Sequence, residues 1–146
     1  MVKSKVLRWL AVAVVAAGLH VLAPGAAHAA TPQCNGSGVL IRNGNSAWIP
    51  AYQSSNFNCW LGRGSHNSGV GELQRNLNDI WGGTPGYTML SVDNDYGPRT
   101  ESMVRFAQQQ YKNDDRPWVS VDGGYGPQTR GLICWTTFNT NACITY

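Results

Sequence analysis

The residues best suited to chemistry sit in a repeated turn. Val92-Asp93-Asn94-Asp95-Tyr96-Gly97-Pro98-Arg99-Thr100 recurs downstream as Val121-Asp122-Gly123-Gly124-Tyr125-Gly126-Pro127-Gln128-Thr129. What the copies share is turn chemistry. Asp bonds nearby backbone, Gly permits the reversal, and Pro suits the first helical position, where its missing N–H is no loss. Tyr96 and Tyr125 belong to the shared part, so they are expected to pack against helices and hold the turn. The positions that differ are better ligand candidates, because the fold alone would not separate them. Asp95 stands opposite Gly124, and Arg99 opposite Gln128. A guanidinium fork on the first turn of a helix fits a carboxylate, and a neighbouring carboxylate fits an amine. Asp95 and Arg99 are therefore candidate ligand-binding residues.

Other chemistries find less support. Asp93-x-Asp95 resembles the opening of a calcium loop, but Gly97 occupies the fifth position and Val104 the place of the closing Glu. Turn fixing explains Asp93 and its repeat counterpart Asp122, and neither a metal nor another cofactor is expected. A hydroxyl or thiol nucleophile needs a base such as histidine. Beyond residue 29 the sole histidine is His66, in a Gly-Ser-Asn loop, and it is read as solvated. A glycosidase needs two carboxylates about 5–9.5 Å apart across a cleft. Glu72 and Glu101 are the pair to consider, each expected in the first turn of a helix, where the dipole favours an anion. Trp118, beside Pro117 in a loop, is the tryptophan expected to be most exposed, and its indole can stack on a sugar face. It is the third candidate ligand-binding residue.

These side chains must be positioned by a small number of elements. Val70, Leu73, Leu77 and Ile80 recur at helical spacing after a Ser68-Gly69 start, and Gly82-Gly83 ends that stretch. Met103, Val104, Ala107 and Tyr111 form a second stripe after the first turn motif. Leu132, Ile133 and Thr136 suggest a third, shorter helix after the second. Upstream, Asn43-Gly44 separates Val39-Leu40-Ile41 from Ala47-Trp48-Ile49, which is a hairpin signal because both turn residues tolerate positive φ. Pro50 confines its strand to an edge.

Length and charge bound the rest. The chain has 146 residues. Lys3, Lys5 and Arg8 precede an apolar stretch from Trp9 to Leu22, and Ala27-His28-Ala29 supplies the small residues of a cleavage site. Residues 1–29 are expected to be a secretory signal peptide. Of eleven Lys and Arg, those three fall in the signal, leaving eight against eight acids. A net charge of zero is a poor match for nucleic acid, whose binders carry a basic stripe. No membrane association is expected once the signal is removed. Four cysteines in an exported chain are most simply read as disulfides. Three pairings are possible, and Cys34–Cys59 with Cys134–Cys143 is favoured because each is local and ties down a terminal segment. A zinc site has no C-x-x-C pair to build on.

Taken together, the motifs resemble the peptidoglycan-binding-domain family, small three-helix modules attached to many bacterial wall hydrolases. The matching residues are Leu73-Gln74-x-x-Leu77, then Gly86-Tyr87, then Val92-Asp93 with Tyr96-Gly97-Pro98-x-Thr100. Val104 and Gln108 follow, then Val121-Asp122-Gly123 with Tyr125-Gly126-Pro127-x-Thr129-Arg130. The resemblance spans about Ser68 to Trp135, and export with Arg-dominated cations is similar to secreted actinobacterial proteins of this kind. It implies a mainly α fold, a three-helix bundle at 67–146. Residues 30–66, too few to build much core alone, are expected to form a disulfide-tied hairpin arm that packs on it. The resemblance also implies non-catalytic binding of peptidoglycan, through a stem peptide or the glycan, outside the cell or at the wall. Two alternatives stand beside it: a small cell-wall hydrolase using a carboxylate pair, and a secreted interaction or inhibitor protein that reuses the scaffold.

Overall fold

The structure is a computed structural model and describes residues 30–146. The expected signal peptide lies outside the described residues. Strands β1 (Gly36–Arg42) and β2 (Asn45–Ala51) form an antiparallel hairpin. Helices α1 (Ser68–Trp81), α2 (Pro98–Asn113) and α3 (Pro127–Leu132) follow. Two short strands, β3 (Trp135–Thr136) and β4 (Cys143–Ile144), then pair antiparallel.

The hairpin turns at Asn43 and Gly44, with φ of 50° and 78°, the left-handed pair that a tight two-residue hairpin requires. Alternation then sets the faces. Gly38, Leu40, Ala47 and Ile49 point inward, whereas Ile41 and Trp48 point outward. The inward face does not pack as an appendage. Leu40, Ala47 and Ile49 share one core with Val70, Leu73 and Leu77 of α1, Val104 and Ala107 of α2, and Trp135 of β3. Gly69 makes that approach possible: a Cβ there would lie 2.2 Å from the Gly36 carbonyl oxygen.

The expected mainly α three-helix bundle is therefore not what forms. Helices take 31% of the structure and strands 22%, in two small antiparallel sheets. Two physical reasons stand out. The hairpin supplies one wall of the common core, which α1 and α2 alone leave open. The third helix stops after six residues, because the β-branched Ile133, Thr136 and Thr137 favour extended backbone and Cys134 is tied back to Cys143. Thr136, expected on that helix, lies in β3. The cap of α1 also differs by one residue. Asn67, not Ser68, accepts the Gly69 N–H, and Glu72 falls beyond the first turn.

Both favoured disulfides are present, Cys34–Cys59 and Cys134–Cys143. The first anchors the segment leading from the hairpin to α1. Along that segment, Leu61 exchanges two backbone hydrogen bonds with Tyr125, at 2.7 and 2.9 Å. Tyr96 donates to the Ser65 carbonyl and accepts from the Gly64 N–H. The connector thus runs across both repeated turns. Among the described residues, no helix is long and apolar enough to cross a membrane.

Candidate functional site

Each repeated turn is held by a glutamine from the preceding helix. Gln74 on α1 is 1% exposed. Its Nε2 donates to Asp93 Oδ1 (2.7 Å), the Asp95 carbonyl (3.0 Å) and Thr100 Oγ1 (3.0 Å). Its Oε1 accepts from the backbone N–H groups of Asp93 and Asn94. Gln108 on α2 repeats the arrangement with Asp122 Oδ1 (2.9 Å), the Gly124 carbonyl (3.0 Å) and Thr129 Oγ1 (3.0 Å), and accepts from the Gly123 N–H. In each turn the aspartate also accepts the N–H two residues on. These are the turn-fixing bonds expected of Asp93 and Asp122. The Asp95 N–H, followed by the Gln74 amide, holds the Asp93 carboxyl below its ordinary range.

Tyr96 and Tyr125 are fully buried, as their place in the shared motif implies. The Tyr96 hydroxyl donates to the Gly123 carbonyl at 2.7 Å, which joins one turn to the other. Tyr125 meets Trp135 edge to face, with ring centroids 6.0 Å apart. Burial pushes both phenols well above their ordinary pKa.

Two open clefts result, one at each turn. The cleft at the first turn, about 400 Å³, is lined by Leu90, Ser91, Asp93, Asp95 and Arg99. The structure therefore brings Asp95 and Arg99 to one concavity. Among the described residues they form no ion pair with each other. The equivalent cleft at the second turn, about 500 Å³, presents Trp60, Ser120, Asp122 and Gln128 and has no cation. The divergence of the two copies thus becomes a difference in cleft chemistry, charged at the first turn and uncharged but for Asp122 at the second.

His66 is the neighbour of Asp95 that the sequence concealed. It is exposed as expected, but its backbone pairs with Asp95 and its Nδ1 stands 3.8 Å from Asp95 Oδ1. No local signal marks that pairing, because it joins a loop to a turn far along the chain. Trp118 is 61% exposed and lines neither cleft, so the structure does not bring it to Asp95 and Arg99.

Glu72 and Glu101 are not brought together either. Glu101 bonds Arg63 (2.7 Å) and Arg105 (3.1 Å), and the Arg63 guanidinium is the larger cause of its lowered pKa. Glu72 pairs with Arg75 at 2.6 Å and lines a separate cleft, without Glu101. Among the described residues, no group of three or more His, Cys, Asp and Glu is placed to hold a metal ion. No protein-family model, curated protein or solved structure matches this chain.

Proposed function

We propose that this chain is a secreted, non-catalytic module that recognises bacterial peptidoglycan by holding a stem peptide at the first turn. The observation that carries the reading is the pairing of Asp95 and Arg99 on one open cleft. Opposite charges that are not spent on each other suit a ligand bearing both a carboxylate and an amine. Stem peptides carry both groups. Pro98, exposed at the cleft, offers apolar surface to the same ligand. The resemblance of both turn motifs to wall-binding modules supports the reading, as does the zero net charge beyond residue 29. Two disulfides are compatible with an extracellular location.

The test is co-sedimentation of the oxidised protein with purified insoluble peptidoglycan, with soluble muropeptides followed in the same tube. Binding without release is the expected result, with retention weakened in Arg99→Ala. A protein that stays in the supernatant across pH and salt overturns the reading. Release of fragments replaces it with the hydrolase, and Glu72 and Glu101 are then the residues to substitute.

A further inference from the structure

A third cleft lies apart from the repeated turns and shares no lining residue with either of their clefts. It is small, about 210 Å³, and is built where the hairpin, α1 and the β3–β4 loop meet. Trp48 of β2 and Phe138 of the loop both line it, exposed to 47% and 60%. Glu72, Arg75 and Asp79 of α1 and Asn141 of the loop supply polar groups between them.

Neither aromatic is exposed through looseness. Trp48 projects from the middle of a paired strand, opposite Val39. The loop carrying Phe138 is closed by Cys134–Cys143 and fastened to the hairpin turn at four points. The Phe138 N–H donates to the Ser46 carbonyl, and Asn139 Oδ1 accepts the Ser46 N–H. Asn139 Nδ2 donates to the Gly44 carbonyl, and Thr140 Oγ1 to Asn45 Oδ1. Beneath them, the buried Asn76 bonds the Cys134 carbonyl and the Thr136 N–H, which fixes the floor. Two large apolar rings are thus held in water by rigid backbone, and ligand stacking gives such exposure a purpose.

The polar groups narrow the ligand. Glu72 and Arg75 neutralise each other at 2.6 Å. Among the described residues, the Asp79 carboxylate and the Asn141 amide have no side-chain hydrogen-bond partner. An unpaired carboxylate repels anions and accepts hydrogen bonds from hydroxyls, and an amide both donates and accepts. A cleft this small, with a polar wall, does not suit a protein interface, which needs a far larger buried area. A pyranose offers an apolar C–H face to the rings and hydroxyls to the acid and amide.

We propose that this cleft is a second, separate binding site that takes a neutral saccharide ring on Trp48 and Phe138, with Asp79 and Asn141 bonding its hydroxyls. The site does not depend on the charged cleft or its ligand. Native-gel electrophoresis of the oxidised protein in soluble glycol chitin and in hydroxyethylcellulose tests it. Retardation by at least one polymer is expected, weakened about tenfold in Trp48→Ala and in Phe138→Ala, the loss of one stacking contact of about 1–1.5 kcal/mol. Glycol chitin alone would assign the ligand to acetamido sugars, and both polymers would assign it to pyranose rings in general. Arg99→Ala should be retarded like the parent protein, which separates this site from the stem-peptide reading. No retardation in either polymer overturns the proposal, and so does retardation that survives Trp48→Ala or Phe138→Ala. Near-ultraviolet circular dichroism confirms that each variant is folded, and if Trp48→Ala is not, Phe138→Ala decides.

Discussion

Gln74 and Gln108 donate to the same three kinds of partner in two different turns. Each is fully buried, each reaches an aspartate carboxylate, a backbone carbonyl and a threonine hydroxyl, and each accepts from the turn backbone. The repeat is therefore structural as well as textual, a helix glutamine clasping the loop that enters the next helix. Removing either amide strands buried donors and acceptors, at about 1–3 kcal/mol per unsatisfied group. Gln74→Ala and Gln108→Ala should each lower the unfolding free energy by roughly 2–4 kcal/mol, read from urea denaturation. Binding discriminates between them. Gln74→Ala should also loosen the Asp95–Arg99 cleft, whereas Gln108→Ala should leave that cleft's affinity near the parent value.

Charge removal at the first turn should act on affinity and not on folding. Asp95 and Arg99 are both exposed and form no ion pair with each other. A charge-assisted bond contributes about 1.5–3 kcal/mol, and an open cleft favours the lower end. Asp95→Asn and Arg99→Gln should each weaken soluble muropeptide binding about tenfold by isothermal titration calorimetry, with thermal midpoints unchanged. Trp118→Ala should leave this affinity unaltered, because the indole does not line the cleft.

Stability should fall at both ends of the pH scale, for separate reasons. The folded Asp93 and Glu101 carboxyls lie below their ordinary values, held there by the Asp95 N–H and the Arg63 guanidinium respectively. Groups depressed in the native state contribute above their unfolded pKa, about 4. That contribution is lost as pH falls through the folded value. Urea midpoints should therefore drop below about pH 4, with a shallower acid limb in Asp93→Asn. At the alkaline end, burial pushes the Tyr87 phenol up to about 12 and raises Tyr96 and Tyr125 further. Raised groups contribute fully below the unfolded value, about 10, and the contribution is lost as pH rises through the folded one. Tyr96→Phe should flatten the alkaline limb, at the loss of about 1 kcal/mol from the bond to Gly123.

The two disulfides should differ in weight. Cys34–Cys59 spans 25 residues and Cys134–Cys143 spans 9. Loop-closure entropy gives about 3.5 kcal/mol for the longer loop and about 2.6 kcal/mol for the shorter. Replacing each cysteine pair by serines should reproduce that order in denaturant midpoints. The Cys134/Cys143 variant should also free Phe138 and reduce saccharide retardation while the first cleft still binds.

How far the sequence could be read depended on the range of each signal. The hairpin was legible because Asn43 and Gly44 announce a turn within two residues and Leu40, Ala47 and Ile49 keep period two. Helices α1 and α2 were legible because each runs long enough to show a stripe. The turns were legible because they occur twice, and the glutamines were visible in the motif although their bonds were not. What failed lay in long-range pairing or in elements too short to have a period. Two-residue strands such as Trp135–Thr136 show no alternation, so the sequence alone reads a short helix through Thr136 and a mainly α fold. The pairings of Leu61 with Tyr125 and His66 with Asp95 leave no local trace, so the sequence alone reads His66 as an open-loop residue. Trp48 and Phe138 stand far apart in the chain, and only the docking of the β3–β4 loop on the hairpin puts both on one cleft.

The connector that runs across both turns has a consequence for the order of folding. Leu61 pairs with Tyr125, so the segment between the hairpin and α1 lacks this partner until Tyr125 is present. The closing contacts are among the most distant in sequence, and long-range contacts form slowly because the chain between them must first be ordered. Cys34–Cys59, by contrast, closes a local loop and can form early. The protein should mature in two kinetic phases, an early oxidised hairpin and a late docking step that unites the repeats. A polypeptide truncated before Tyr125 should stall between them.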